Sequence, residues 1–177
     1  MVKAPDPGYG AWMELFIVRH AIAFEPDPRR WPDDRARPLT PEGAIRARRA
    51  ARGLKAVVDR PERLLTSPLA RATQTAAILT EVAEWPEALE CAALSPEGSA
   101  EAVLKALRDT PEERIAIVGH QPGLGHLIAH CLPGTMRPQA IELKKFGIAW
   151  LSFDGFARAG GATLRWLLAP ALLRALR

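Results

Sequence analysis

The sequence has few cysteines, few aromatic residues and no long apolar run, and each shortage excludes a class of protein. Only Cys91 and Cys131 occur in 177 residues. They make neither a disulfide framework nor a paired metal motif, so a reduced, cytoplasmic setting is expected. No apolar stretch approaches the ~20 residues of a membrane span, and no signal-peptide core stands at the N-terminus, so no membrane partner is expected. Aromatics are 6% of the chain and never alternate with basic residues. The net charge of +4 is therefore not read as a nucleic-acid surface, and no nucleic-acid partner is expected.

What is present is enough for one core. With 48% hydrophobic positions, a chain of this length is most simply a single domain. Residues 1–12, rich in Pro, Gly and Ala, read as a disordered extension, and residues 13–177 as the domain. Leu15-Phe16-Ile17-Val18-Arg19-His20 is an apolar run that ends on two polar side chains. Such a run reads as a strand buried on both faces. A proline-rich loop over 21–38 follows, and Thr40-Pro41 starts a helix with Ala47, Ala50, Ala51 and Leu54 inward. A strand over 63–66 ends at Ser67-Pro68, read as a second cap-plus-proline helix start. The next helix buries Leu69, Ala72, Ala76 and Leu79, with Arg71 in its first turn. A weaker strand over 88–92, a helix through Val103 and Leu107, and a clear strand over 114–118 precede Gly119-His120. Leu124, Leu127, Ile128 and Cys131 mark one face of a further helix. Strands are expected over 141–143, 148–153 and 164–168, then a short helix or tail. Alternating strands and helices predict an α/β fold with a mostly parallel sheet flanked by helices.

Three junctions at the carboxyl edge of such a sheet carry Arg19-His20, Arg71 and His120, and in a parallel sheet they can converge. Two arginines and two histidines suit a phosphoryl group. Guanidinium forks hold phosphate oxygens, and an uncharged imidazole can attack phosphorus. Nearby positive charge should keep that imidazole unprotonated. No acidic cluster fit for Mg²⁺ accompanies them, so neither metal nor cofactor is expected. His126, His130 and Cys131 are close in sequence, but Cys131 belongs to the apolar stripe and the histidines do not. A helix surface is the reading there, not zinc.

Val-Arg-His-Ala at 18–21, Ser-Pro-Leu-Ala-Arg-Ala-Thr-Gln-Thr-Ala at 67–76 and Gly-His-Gln-Pro-Gly at 119–123 resemble the histidine phosphatase (phosphoglycerate mutase-like) superfamily. Arg-Pro-Leu-Thr-Pro-Glu-Gly at 37–43 and Leu-Ser-Pro-Glu-Gly at 94–98 fit its small SixA-type phosphohistidine phosphatase branch. The resemblance implies a phosphoglycerate mutase-like fold without a large helical cap insert. It also implies His20 as nucleophile, Arg19 and Arg71 on the phosphoryl oxygens, His120 stabilising the transferring group, and Arg37 as a further phosphate contact. Ala21 departs from the glycine usual in the superfamily and leaves less room for φ > 0.

Larger relatives use a carboxylate as leaving-group acid, and Glu97 is the nearest candidate. A phosphohistidine needs that acid less than a phosphoester does, because its own ring nitrogen can be protonated. The expected function is metal-independent hydrolysis of protein phosphohistidine through a covalent intermediate on His20. A small phosphoester substrate is the alternative, and a non-catalytic module binding phosphorylated partners or nucleic acid is a third. Phosphate, vanadate and tungstate are the expected site ligands.

Overall fold

The computed structural model describes residues 12–134, 137 and 140–176. The extension expected over 1–12 lies outside the described residues except for Trp12, which opens the first strand. Six strands form one sheet: β1 (Trp12–Arg19), β2 (Arg63–Thr66), β3 (Ala88–Glu90), β4 (Arg114–Gly119), β5 (Ile148–Asp154) and β6 (Ala162–Leu168). Five helices accompany them: α1 (Pro41–Lys55), α2 (Ala70–Ala83), α3 (Ala100–Arg108), α4 (Gly123–Cys131) and α5 (Pro170–Ala175). Sheet order is β3-β2-β4-β1-β5-β6. The pairs β3–β2, β2–β4 and β4–β1 are parallel, and β5 is antiparallel to both of its neighbours. This is the mostly parallel α/β architecture expected from the sequence.

Every buried position of β1 except Glu14 is apolar, because both faces are covered. Met13, Leu15 and Ile17 join one hydrophobic cluster with residues of α3 and α4. Phe16 and Val18 join the other with residues of α1, α2 and α5. The few aromatics concentrate on this second face, where Phe16 lies 5.9 Å from Trp150 and 6.4 Å from Trp85, ring centre to ring centre. The chain moves from β1 toward β3 through α1 and α2, then reverses through α3 and α4. Right-handed crossovers require the helices to change face when the direction reverses. The reversal leaves a crevice at the carboxyl ends of β1 and β4, where ligands of open α/β sheets bind.

Two local expectations give way. The strand expected over 141–143 is irregular chain. Its carbonyls are taken by side chains instead of a ladder: Gln121 Nε2 donates to Ile141 O at 3.0 Å and Arg19 Nη1 to Leu143 O at 2.7 Å. Ser67-Pro68 does not start α2, because the helix begins at Ala70 after Leu69, with no side-chain cap. At α1 the expected cap is present, with Gly43 N donating to Thr40 Oγ1 at 2.9 Å and Pro41 at the first helical position.

Candidate active site

Register brings the two histidines together. Arg19 is level with Gly119 in the β1–β4 pairing, so His20 and His120 leave adjacent strands side by side. His20 N donates to Gly119 O at 3.0 Å, and Ser67 N, leaving β2, donates to Val118 O at 2.9 Å. The imidazole centres are 5.1 Å apart. Both rings are buried, at 7% and 5% exposure.

Burial sets their charge. Desolvation, with smaller contributions from Arg71, Arg19 and Lys145, lowers the His20 pKa to about 4, against the opposing effect of its hydrogen bond to Ala21. Desolvation first, then His20 and the arginines, lowers His120 to about 3. Both rings are therefore neutral near pH 7. His20 Nδ1 lies 2.7 Å from Ala21 O. A carbonyl only accepts, so Nδ1 carries the proton and the Nε2 lone pair is free. His120 Nε2 meets the Ser67 hydroxyl at 2.8 Å. Ser67 is fully buried, and its place is to hold the second histidine.

Arg71, 4% exposed, sits in the first turn of α2. Its Nη1 donates to Asp34 O at 2.9 Å and its Nη2 meets Asp34 Oδ2 at 3.1 Å. Asp34 lies on a 3-10 turn (Asp34–Ala36) in the loop after β1. Arg37 Nε also donates to Asp34, at 2.6 Å, and Arg37 Nη1 donates to Phe24 O at 2.5 Å. The Arg37 guanidinium, joined by the charge of Arg71, holds the Asp34 carboxyl below the usual carboxylate range. The two arginines of the site also keep donors that an anion can use. The Nε of Arg19 and of Arg71 are both buried and have no partner. A buried donor left unpaired costs free energy that an oxyanion would return.

The 67–76 motif ties the site together at more points than Arg71. Thr75 Oγ1 donates to Arg71 O at 2.6 Å and accepts from Ala21 N at 3.0 Å, latching the residue after His20 onto α2. Gln74 Oε1 accepts from Leu39 N at 2.8 Å, which anchors the far end of the loop. Gly43 belongs to the same construction: a Cβ there would stand 2.1 Å from Ile22 O, so only glycine lets α1 approach the chain beyond His20. Ala21 does not take a positive φ, so the departure from glycine introduces no strain. Beside the site it is Phe146 that takes a positive φ, at 63°, and its N–H donates to Arg19 O at 3.1 Å and His20 O at 3.2 Å. Bulky side chains rarely hold that conformation except where the surroundings over-determine it.

Glu97 is exposed, and its charge is felt by the Arg71 guanidinium. It stands on the rim and not among the buried donors. His126, His130 and Cys131 form no metal-holding group among the described residues. His130 Nε2 lies 3.7 Å from Glu101 on α3, and Cys131 is buried with its thiol pushed up to about 12 by desolvation.

Asp34, Ser67 and Thr75 were missed from the sequence as site residues. Ser67 and Thr75 lie inside the very motif that supplied Arg71, so the signal was present. Asp34 sits three residues before Arg37 in a charge-rich loop, where nothing distinguishes it from Asp27 or Asp33.

Residues 15–98 match the sequence profile of the histidine phosphatase superfamily (branch 1). An uncharacterized protein of Picosynechococcus sp. is 36% identical over 149 residues, 82% of this chain and 88% of its own. With that profile and the solved phosphatase described next, the chain belongs to the histidine phosphatase superfamily and is a phosphatase hydrolase. Its branch follows from a second likeness. The structure of the protein histidine phosphatase SixA complexed with tungstate superimposes with a TM-score of 0.78 at 30% identity, covering 91% of this chain and 99% of that one. The chain is of the SixA type, without the large insert. A phosphoserine phosphatase of Entamoeba histolytica in complex with 3-phosphoglyceric acid shares the fold at a TM-score of 0.65 and 17% identity, over 89% of this chain and 97% of that one. Among the described residues no helix is long and apolar enough to cross a membrane.

Proposed function

We propose that this phosphatase removes the phosphoryl group from a histidine of another protein, without a metal, through a covalent phosphohistidine on His20. The observation that carries the reading is the neutral His20 ring, with Nε2 free, set beside the unpartnered Nε–H groups of Arg19 and Arg71. Nε2 attacks phosphorus in line, and the N–P bond of the substrate breaks as the N–P bond to His20 forms. Arg19 and Arg71 neutralise charge on the equatorial oxygens, with Arg37 as a further contact, while His120, fixed by Ser67, faces the transferring group. Water then attacks phospho-His20, giving inorganic phosphate and free His20. Vanadate and tungstate, as phosphoryl mimics, bind between the same groups.

Protein phosphohistidine as substrate is supported by the leaving group. A phosphohistidine can be protonated on its second ring nitrogen before the bond breaks, so it departs as neutral imidazole. An alkoxide has no such route and needs an acid. The carboxylate nearest the phosphate arginines, Asp34, is held ionised, and Glu97 at the rim is the remaining donor. The tungstate complex of the protein histidine phosphatase SixA supports both the ligand class and the substrate class. The reading takes residues 13–177 as one catalytic domain. It includes a cytoplasmic setting, in keeping with the unpaired Cys91 and Cys131.

The test compares kcat/KM for a phosphohistidine peptide with values for several small phosphoesters, in the presence of chelator. A preference for the peptide of at least ~100-fold, about 3 kcal/mol of transition-state discrimination, is expected. Equal or reversed preference would move the substrate to small phosphoesters, and inactivation by chelator would remove the metal-free mechanism.

A further inference from the structure

A second cavity opens at the same sheet edge, on the face covered by α1 and α5. Its volume is about 240 Å³, and four cationic side chains line it: Arg46, Lys144, Lys145 and Arg174. Ala21 and Phe146 contribute buried apolar walls. The placement follows from topology. β5 enters the sheet where β1 ends, β6 leaves it there, and α1 and α5 start at that edge. Arg46, Lys144 and Arg174, set on α1, the 141–147 loop and α5, are therefore brought to the wall formed by the residue after His20.

The carboxylates near these cations lie on the solvent side. Glu42 meets Arg46 at 2.7 Å, Glu142 meets Lys144 at 3.1 Å, and Glu25 reaches Lys145 only at 4.0 Å. All three carboxylates are well exposed, and none lines the cavity. Among the described residues Arg174 makes no ion pair. Of the four cations, Lys145 is the one whose charge acts on the His20 ring, so the cavity lies beside the site.

Size and chemistry select the occupant. The volume is below the roughly 300–1,000 Å³ typical of small-molecule sites, and it suits one or two side chains of a larger partner. Four cations over an apolar floor select carboxylates carried on short alkyl stems. We propose that this cavity docks an acidic segment flanking the phosphohistidine of the protein substrate. The inference rests on the phosphoprotein reading above, and it gives that reading a sequence preference: Asp or Glu next to the phosphorylated histidine.

The test uses three phosphohistidine peptides, with acidic, neutral and basic flanks, together with phosphoimidazole. The enzymes are wild type and the Lys144→Glu/Arg174→Glu double variant; both positions are exposed and neither touches the reacting groups. Wild type is expected to favour the acidic peptide over the neutral one by about tenfold in kcat/KM, from a few rim ion pairs that salt weakens. The preference should reside in KM. The double variant should lose it while turning over phosphoimidazole at the wild-type rate. Equal use of the three peptides by wild type, or an undiminished acidic preference in the double variant, would overturn the proposal. Binding of the unphosphorylated acidic peptide, followed by NMR shifts at Lys144 and Arg174, reads the cavity even if no phosphohistidine substrate is turned over. Shifts there with inorganic phosphate but not with the peptide would also overturn it.

Discussion

Acid acts directly on the two buried histidines. The folded chain holds His20 at about 4 and His120 at about 3, against 6.5 for an ordinary imidazole. Below pH 6.5 the unfolded chain takes up protons at both positions that the folded chain refuses. Both folded values are depressed, so the associated stability is fully present above about pH 6.5 and is lost as pH falls toward the folded values. Between pH 7 and pH 5 each histidine costs about 2 kcal/mol at roughly 1.4 kcal/mol per pH unit, and the pair roughly 4 kcal/mol. That is a large share of the ~5–15 kcal/mol that holds a domain folded. The buried Glu14, whose pKa desolvation raises, takes up its proton more readily in the folded chain and offsets part of this loss. Urea unfolding at pH 7 and pH 5 measures the loss in wild type and in a His20→Asn/His120→Asn double variant. Wild type should lose up to roughly 4 kcal/mol and the double variant less than half as much. Equal wild-type stability at the two pH values, or an undiminished loss in the double variant, would mean that the two histidines are not held neutral by burial.

Three substitutions probe the contacts around the histidines. Ser67→Ala removes the hydroxyl 2.8 Å from His120 Nε2 and should lower kcat on the order of tenfold with little change in KM, because it disturbs a group that acts in the transition state. Thr75→Val keeps the shape but removes the acceptor for Ala21 N and the donor to Arg71 O; denaturant unfolding should show a loss of about 1–3 kcal/mol. Asp34→Ala frees the guanidiniums of Arg71 and Arg37, and calorimetry should find tungstate bound roughly three- to tenfold more weakly, a loss of about 0.7–1.4 kcal/mol. Tighter tungstate binding would mean that Asp34 blocks the arginines instead of orienting them.

The layered fold was readable because its central strands are short and apolar on both faces and helices alternate with them, as the Leu15–Val18 run and the Thr40-Pro41 helix start illustrate. The convergence of His20, Arg71 and His120 followed from topology alone, since every parallel strand ends on one edge. What could not be read depended on tertiary partners. Ser67 has the sequence context of a helix cap, and only the pairing of β2 with β4 brings it to His120. Ile141–Leu143 has strand composition, but Gln121 and Arg19 claim its carbonyls. Asp34 is one of several loop carboxylates, and its bridge between Arg71 and Arg37 exists only once the 24–38 loop folds back over α2.

If His20 carries the phosphoryl group, rapid quenching should trap the bond before water breaks it. Wild type and His20→Ala are mixed with a phosphohistidine peptide, quenched within milliseconds, and examined by intact mass and acid lability. The expected result is an acid-labile phosphoryl adduct in wild type, none in His20→Ala, and dephosphorylated peptide only where the adduct forms. An adduct that persists in His20→Ala, or turnover of the peptide by that variant at the wild-type rate, would contradict it.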